Sequence, residues 1–247
     1  KTDPIAPLRR LILQLINFAH SDVFMVGAFT SYYVARLLNS WLNISHSSGL
    51  GFLVLLLCSS MIACSILSLT IERLAYRPLR GAPKINALIT AIGVSLFLQY
   101  SGQVVFGVDP KTFPTVFEDS VLAKIGDVEI KVLNVVVLTV TFVMMFGLHY
   151  LIFKTKLGKA MRATSHNMTM ASLMGVNTDR TIAFTFIVGS SLAGVGSVLV
   201  GMQYPKIETL MGMMFGMKAF IAAVLGGIGN IGGAVLGGII MGLSEEF

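Results

Sequence analysis

The chain has 247 residues, of which 55% are hydrophobic and only 12% charged, with a formal net charge of +6; its mean hydropathy is +0.81. Soluble domains carry roughly 25% charged residues, so half that fraction over this length excludes a soluble globular protein and indicates an all-α polytopic membrane protein. The positive charge does not indicate nucleic acid, because the basic residues are gathered in particular loops between apolar segments.

In chain order, the start, KTDPIAPLRR, lacks the apolar core and cleavage site of a secretory signal and reads as a trimmed beginning. The apolar stretch 11–38 is interrupted by Asn17, His20, Ser21 and Asp22. That leaves 23–38 as about 24 Å of helix, short for a crossing unless the interrupted part contributes. Segments 52–71, 85–106, 132–153 and 181–203 contain no Asp, Glu, Lys or Arg. Each is long enough to span a hydrocarbon core of about 30 Å, and none alternates with period two, so helices are expected rather than barrel strands.

Nine Lys/Arg lie in loops 72–86 and 154–180, and four lie in the alternating loops 39–49, 107–131 and 204–209. By the positive-inside rule the first two are cytoplasmic and the other three face outward. Loop 107–131, with Pro110 and Pro114, is a modest external excursion too short for a domain. Loop 154–180 also carries Ala163, Met168, Met170, Ala171, Leu173, Met174 and Val176. It therefore reads either as a docking surface for a partner or as an amphipathic segment lying on lipid headgroups.

The stretch 210–243 is too long for one ordinary span and too short for two, with Lys218 as its single charge. Its glycines, concentrated in AVLGGIGNIGGAVLGG, predict a break near 226–233 and two short helices in a re-entrant or tightly bent hairpin. Paired broken helices line the substrate path of transporters. The repeats Gly229, Gly233, Gly237 and Gly189, Ala193, Ser197, Gly201 equally suit close helix packing. Lys218 reads either as snorkelling, the slightly favoured reading, or as lining a path.

Little chemistry is apparent. His20 and Asp22 lie on different faces of a helix, so they make no obvious dyad, although ionisable groups within a membrane are functional suspects. His149 reads as interfacial. Cys58 and Cys64 are six apart and read as small packers, with no disulfide or metal pair. The glycosylation triplets at 43–45 and 167–169 read as chance matches. No nucleotide-binding P-loop and no metal-ligand spacing occur. No catalytic or metal residue and no cofactor on the chain is expected, and none of the four clean spans offers an acid for a coupling ion, so energy would come from a partner.

Five runs in order carry a family resemblance: INFAHSDVFMVGAF (16–29), IERLAYRPLRGAP (71–83), ALITAIGVSLFLQ (87–99), GKAMRATSHNMTMASLMGVNTDRTIAFTF (158–186) and GMKAFIAAVLGGIGNIGGAVLGG (216–238). Over nearly its whole length the chain resembles the LivH-type inner-membrane permease of branched-chain amino acid ABC importers. The resemblance implies one transmembrane permease domain over 1–247 in the inner membrane of a bacterial-type cell. Segment 158–176 would then be the coupling segment on a cytoplasmic ATP-binding cassette subunit, with Gly158, Arg162, Ala163, Met170, Ala171 and Gly175 at the contact. ATP and Mg would be bound by that partner. A second related permease chain and a periplasmic substrate-binding protein are implied as well.

Asn17, Phe18 and His20, with Gly226, Gly227 and Gly229, are the candidates for the translocation path. The family usually has Gly where Ser21 stands, Pro where Gly232 stands, a helix before the Asn-Phe-Ala-His run and a final span beyond the GLSEEF end. Alternatives of different kinds are a urea or short-chain amide permease, a passive channel or gradient-driven carrier, and an intramembrane enzyme using His20 and Asp22.

Overall fold

The structure is a computed structural model that describes residues 19–42, 49–79, 83–117, 121–125, 128–227 and 229–246. Asn17, Phe18 and the triplet at 43–45 lie outside the described residues. The chain is overwhelmingly helical, as its apolar runs require. Its helices are α1 (Ala19–Leu42), α2 (Gly49–Ile71), α3 (Lys84–Phe106), α4 (Val132–Lys154), α5 (Lys156–His166), α6 (Met168–Leu173), α7 (Thr178–Gln203), α8 (Met211–Leu225) and α9 (Ile231–Glu246). Four segments are long and apolar enough to cross a membrane: Gly49–Leu79, Ile85–Phe106, Val132–Lys154 and Thr178–Gln203.

Two sequence expectations are corrected locally. The polar residues His20, Ser21 and Asp22 do not interrupt α1, which runs unbroken from Ala19. Residues expected to begin the first cytoplasmic loop instead prolong α2 as a π-helical turn, Glu72–Tyr76, and a 3-10 turn, Arg77–Leu79. Segment 107–131, expected as a modest external excursion, holds a small hairpin of β2 (Val121–Ile125) and β3 (Val128–Lys131), after a two-residue strand β1 (Lys111–Thr112).

The described residues fall into two compact units. The larger comprises Val23–Glu72 and Val108–Glu208. Its core is the seam where α2, α7 and the body of α1 approach closely through small residues. Ser60 Oγ donates to the Gly194 carbonyl (3.0 Å), Ser197 Oγ donates to the same carbonyl (2.7 Å), and Cys64 Sγ donates to the Val23 carbonyl (3.4 Å). A Cβ on Gly27 would stand 2.6 Å from Ser197 Oγ and 2.8 Å from both Cys64 Sγ and Ser60 Oγ.

The buried edge of α7 is therefore Ser190, Gly194, Ser197 and Gly201. The expected stripe through Gly189 and Ala193 is displaced by one residue in its first half, and those two are only half-buried. Cys64 packs as expected, whereas Cys58 is exposed. Helix α4 buries none of its residues.

Outside the helices, β1 pairs with β4 (Lys206–Ile207), Lys111 opposite Ile207 and Thr112 opposite Lys206. Phe113 donates its N–H to the Pro205 carbonyl (2.6 Å), and its buried ring lies against Gly201. Lys111 Nζ donates to Tyr33 Oη at 2.8 Å. Loops 107–131 and 204–209 are thus joined to each other, as their expected placement on one side requires.

The smaller unit comprises the start of α1 as far as Asp22, Arg73–Gly107 and Thr209–Phe247. Helices α8 and α9 form the expected hairpin, with the break at Gly226–Asn230. Gly227 (φ +86°) and Gly229 (φ +95°) take the left-handed backbone that glycine alone adopts freely. Asn230 Oδ1 accepts the Gly233 N–H at 3.2 Å. Below the turn the helices touch backbone to backbone: a Cβ on Gly226 would strike the Gly233 carbonyl, and one on Gly237 the Ala222 carbonyl. The Gly229–Gly233–Gly237 repeat is therefore split, its first member serving the turn and the other two the helix contact. Lys218 pairs with Glu245 across the hairpin at 2.7 Å.

Candidate functional site: a capped basic surface and a mid-span carboxylate

The basic segment after α4 is a pair of short helices closed by caps at every junction. Thr155 Oγ1 accepts the Gly158 N–H (3.0 Å), and Asn167 Oδ1 accepts the Met170 N–H (3.0 Å). Asn177 Oδ1 accepts the Arg180 N–H (3.1 Å) to start α7. These side chains satisfy amide donors that the first turn of a helix leaves unpaired. At the end of α6, Gly175 (φ +82°) donates to the Ser172 carbonyl and Val176 to the Ala171 carbonyl, both at 3.0 Å. That two-bond arrangement with glycine in the left-handed position is a Schellman termination.

The six residues expected at the partner contact separate into two groups. Gly158 and Ala171 are buried within the chain itself, so they shape the surface and do not form it. Gly158 fills a tight corner in which a Cβ would strike the Leu151 and Ile152 carbonyls. Arg162, Ala163, Met170 and Gly175 are exposed. The Arg162 guanidinium lies over the Phe153 ring (5.2 Å), which also stacks on His149 (4.6 Å).

The most exposed apolar groups of the segment are two that the site expectation did not include, Leu173 (75%) and Met174 (85%), beside Met170 (59%) and Met168 (44%). Their signal in the sequence was a Met- and Leu-rich run inside a basic loop. The buried face could not be told from the outer one without the helix boundaries.

Of the described translocation-path candidates, Gly226, Gly227 and Gly229 share one turn, and His20 is not brought to it. His20 is exposed on α1. The part of α8 that meets the start of α1 is Gly212 and Gly216, where a Cβ would strike Ser21. From Gly216 to the turn at Gly226 is about 15 Å of helix. The polar run instead contributes Asp22, whose carboxylate is 1% exposed. It accepts from Ser95 Oγ at 2.5 Å and from Gln99 Nε2 at 3.1 Å. Ser95 and Gln99 are one helical turn apart on α3, and Gln99 Nε2 also donates to Ser95 Oγ (3.2 Å). Ser95 stands at the middle of the span Ile85–Phe106. Among the described residues, no group of three or more His, Cys, Asp or Glu is placed to hold a metal ion.

The family described as "Branched-chain amino acid transport system / permease component" matches residues 10–247. The high-affinity branched-chain amino acid transport system permease protein BraD of Pseudomonas aeruginosa is 39% identical over 243 residues, covering 96% of this chain and 77% of that protein. LivH of Salmonella typhimurium, a permease protein of the same description, is 39% identical, covering 95% of this chain and 76% of that protein. LivH of Escherichia coli is 38% identical with the same coverage, 95% and 76%. No solved structure matches the chain. A helical membrane chain with a capped basic surface and a Gly-rich hairpin, matched along almost all of its length, belongs to the branched-chain amino acid transport system permease family, whose members work with ATP-binding and substrate-binding partners.

Proposed function

We propose that this chain is the permease subunit of an ATP-driven importer that moves branched-chain amino acids inward across an inner membrane. Hydrolysis of ATP with Mg takes place on a separate cytoplasmic cassette subunit. A second related permease chain completes the membrane pathway, and a periplasmic binding protein delivers the amino acid. The substrate reading is supported by what the relatives' names say they transport.

The observation that carries the coupling role is the outer face of α6. Met170 and Leu173 on the helix and Met174 at its C-cap are exposed, and the helix is fixed at both ends by caps, in a segment bearing Lys154, Lys156, Lys159, Arg162 and Arg180. An exposed apolar cluster with a basic surround is a protein-docking surface. Arg162, Ala163 and Gly175 flank it, while Gly158 and Ala171 support it from inside.

The test is co-purification of the full-length chain with its cassette subunits in mild detergent, followed by ATPase and leucine-uptake assays. Leu173→Glu should leave the chain in the membrane and remove the co-eluting ATPase, because a carboxylate would be carried into an apolar contact. Wild-type co-elution in Leu173→Glu, or uptake without any ATPase, would move the assignment to a channel or gradient-driven carrier. Uptake of urea or acetamide in place of leucine would reassign the substrate alone.

A further inference from the structure

Asp22 is a buried acid within an apolar helix pair. Its carboxylate is buried, and both of its contacts, Ser95 Oγ and Gln99 Nε2, are neutral donors. No Lys, Arg or His among the described residues pairs with it, whereas Lys124–Glu129, Lys206–Glu208 and Lys218–Glu245 pair at exposed positions. A carboxylate offers about four acceptor positions, so two hydrogen bonds leave its capacity and its charge partly unanswered. In an apolar interior that is expensive unless a cation completes the site.

The location adds a second argument. Ser95 stands at the middle of α3, the depth at which transporters place their substrate sites. The surroundings combine this one anionic group with buried aliphatic ones: Ala91 and Leu98 on the same face of α3, and Ala19 one turn before Asp22 on α1. An ammonium group attached to a branched aliphatic chain has the matching chemistry.

We infer that Asp22, held by Ser95 and Gln99, is the group that takes the α-ammonium of the amino acid during its passage. The inference rests on the amino-acid reading proposed above and adds to it a residue and an atom. Gln99, half-buried and the longer of the two contacts, is the group the ammonium displaces. In the state described the carboxylate is covered, so substrate reaches it when α3 and the start of α1 separate.

The test uses the full-length chain reconstituted with its partner subunits and binding protein in proteoliposomes, with radiolabelled leucine as the probe and leucine moved per ATP as the readout. Asp22→Asn keeps the shape and an acceptor for Ser95 but removes the charge. Leucine moved per ATP should fall at least about tenfold, the worth of one charge-assisted hydrogen bond, in a complex that still assembles, and Asp22→Glu should restore part of it. Wild-type stoichiometry in Asp22→Asn overturns the inference.

Gln99→Lys tests it independently by setting a tethered ammonium against Asp22. Thermal stability should hold or rise while leucine uptake is lost. A Gln99→Lys chain that is stable and transports normally overturns the inference, and so does loss of assembly in both variants, which would make Asp22 a structural pin. A wild-type complex that hydrolyses ATP and imports urea instead of leucine refutes the amino-acid reading itself, before any variant is compared.

Discussion

Gly226 and Gly233 face each other across the α8–α9 turn with no side chain between them, and a Cβ on either would run into the other's carbonyl. Gly233→Ala should therefore force the hairpin apart and cost about 1–3 kcal/mol, as overpacking does. Gly238→Ala is the control, because its Cβ would meet nothing within 4 Å. Relieved of glycine's backbone entropy in a helix interior, it should gain up to about 1 kcal/mol. Thermal unfolding of the two variants in detergent should move in opposite directions.

Gly232 offers a stabilising change. It lies in the first turn of α9, where an amide donor has no partner within the helix, and the cap from Asn230 is taken by Gly233. Gly232→Pro should raise stability by about 0.4–1 kcal/mol through the unfolded state. An unchanged or lowered melting temperature would mean that the backbone at 232 is not compatible with proline.

Two substitutions in α6 and its termination should fail for different reasons than Leu173→Glu. Gly175→Ala places a Cβ on a backbone at φ +82° and should cost about 1–2 kcal/mol. Ala171→Glu buries a carboxylate without a partner and should cost several kcal/mol. Both should lower the melting temperature of the isolated chain. Leu173→Glu, on an exposed surface, should leave it within about 0.5 kcal/mol. Equal melting temperatures for Ala171→Glu and wild type would contradict the burial of Ala171.

At the α1–α2–α7 seam, Gly27→Ala meets three heavy atoms between 2.6 and 2.8 Å away, on Ser197, Cys64 and Ser60. It should reduce the folded yield and cost about 1–3 kcal/mol. Pairing it with Ser60→Ala, which makes room but removes a hydrogen bond to Gly194, should recover only part of the loss. Full additivity of the two changes would indicate that the residues do not share one contact.

Much of this architecture was legible because hydropathy reports it directly. The four clean spans, the hairpin in 210–243 and the common side of loops 107–131 and 204–209 followed from run lengths, glycine placement and the count of basic residues. Composition could not give the rotational setting of each helix. A stripe of small residues on α7 fits two registers one residue apart, and the register is decided by where Ser60 and Gly27 arrive from elsewhere in the chain.

Asp22 shows the same limit. Its neighbours in sequence suggested a search for a dyad with His20, whereas its partners are Ser95 and Gln99. Two polar residues one turn apart in the middle of an apolar span were the available sign. The ion pair of Lys218 was not legible because its partner, Glu245, lies 27 residues away and becomes a neighbour only once the hairpin forms.

The caps at Thr155, Asn167, Gly175 and Asn177 have a mechanical consequence. A connector hydrogen-bonded at each of its corners has few soft torsions with which to absorb a push. Force applied at Leu173 is therefore delivered to α7 as a tilt, like load on a bell crank, and α7 is bolted through Gly194 and Ser197 to α2. On the coupling role proposed for Leu173, the stroke of the ATPase would enter the membrane through those few small residues, whose tight fit leaves no slack to dissipate it.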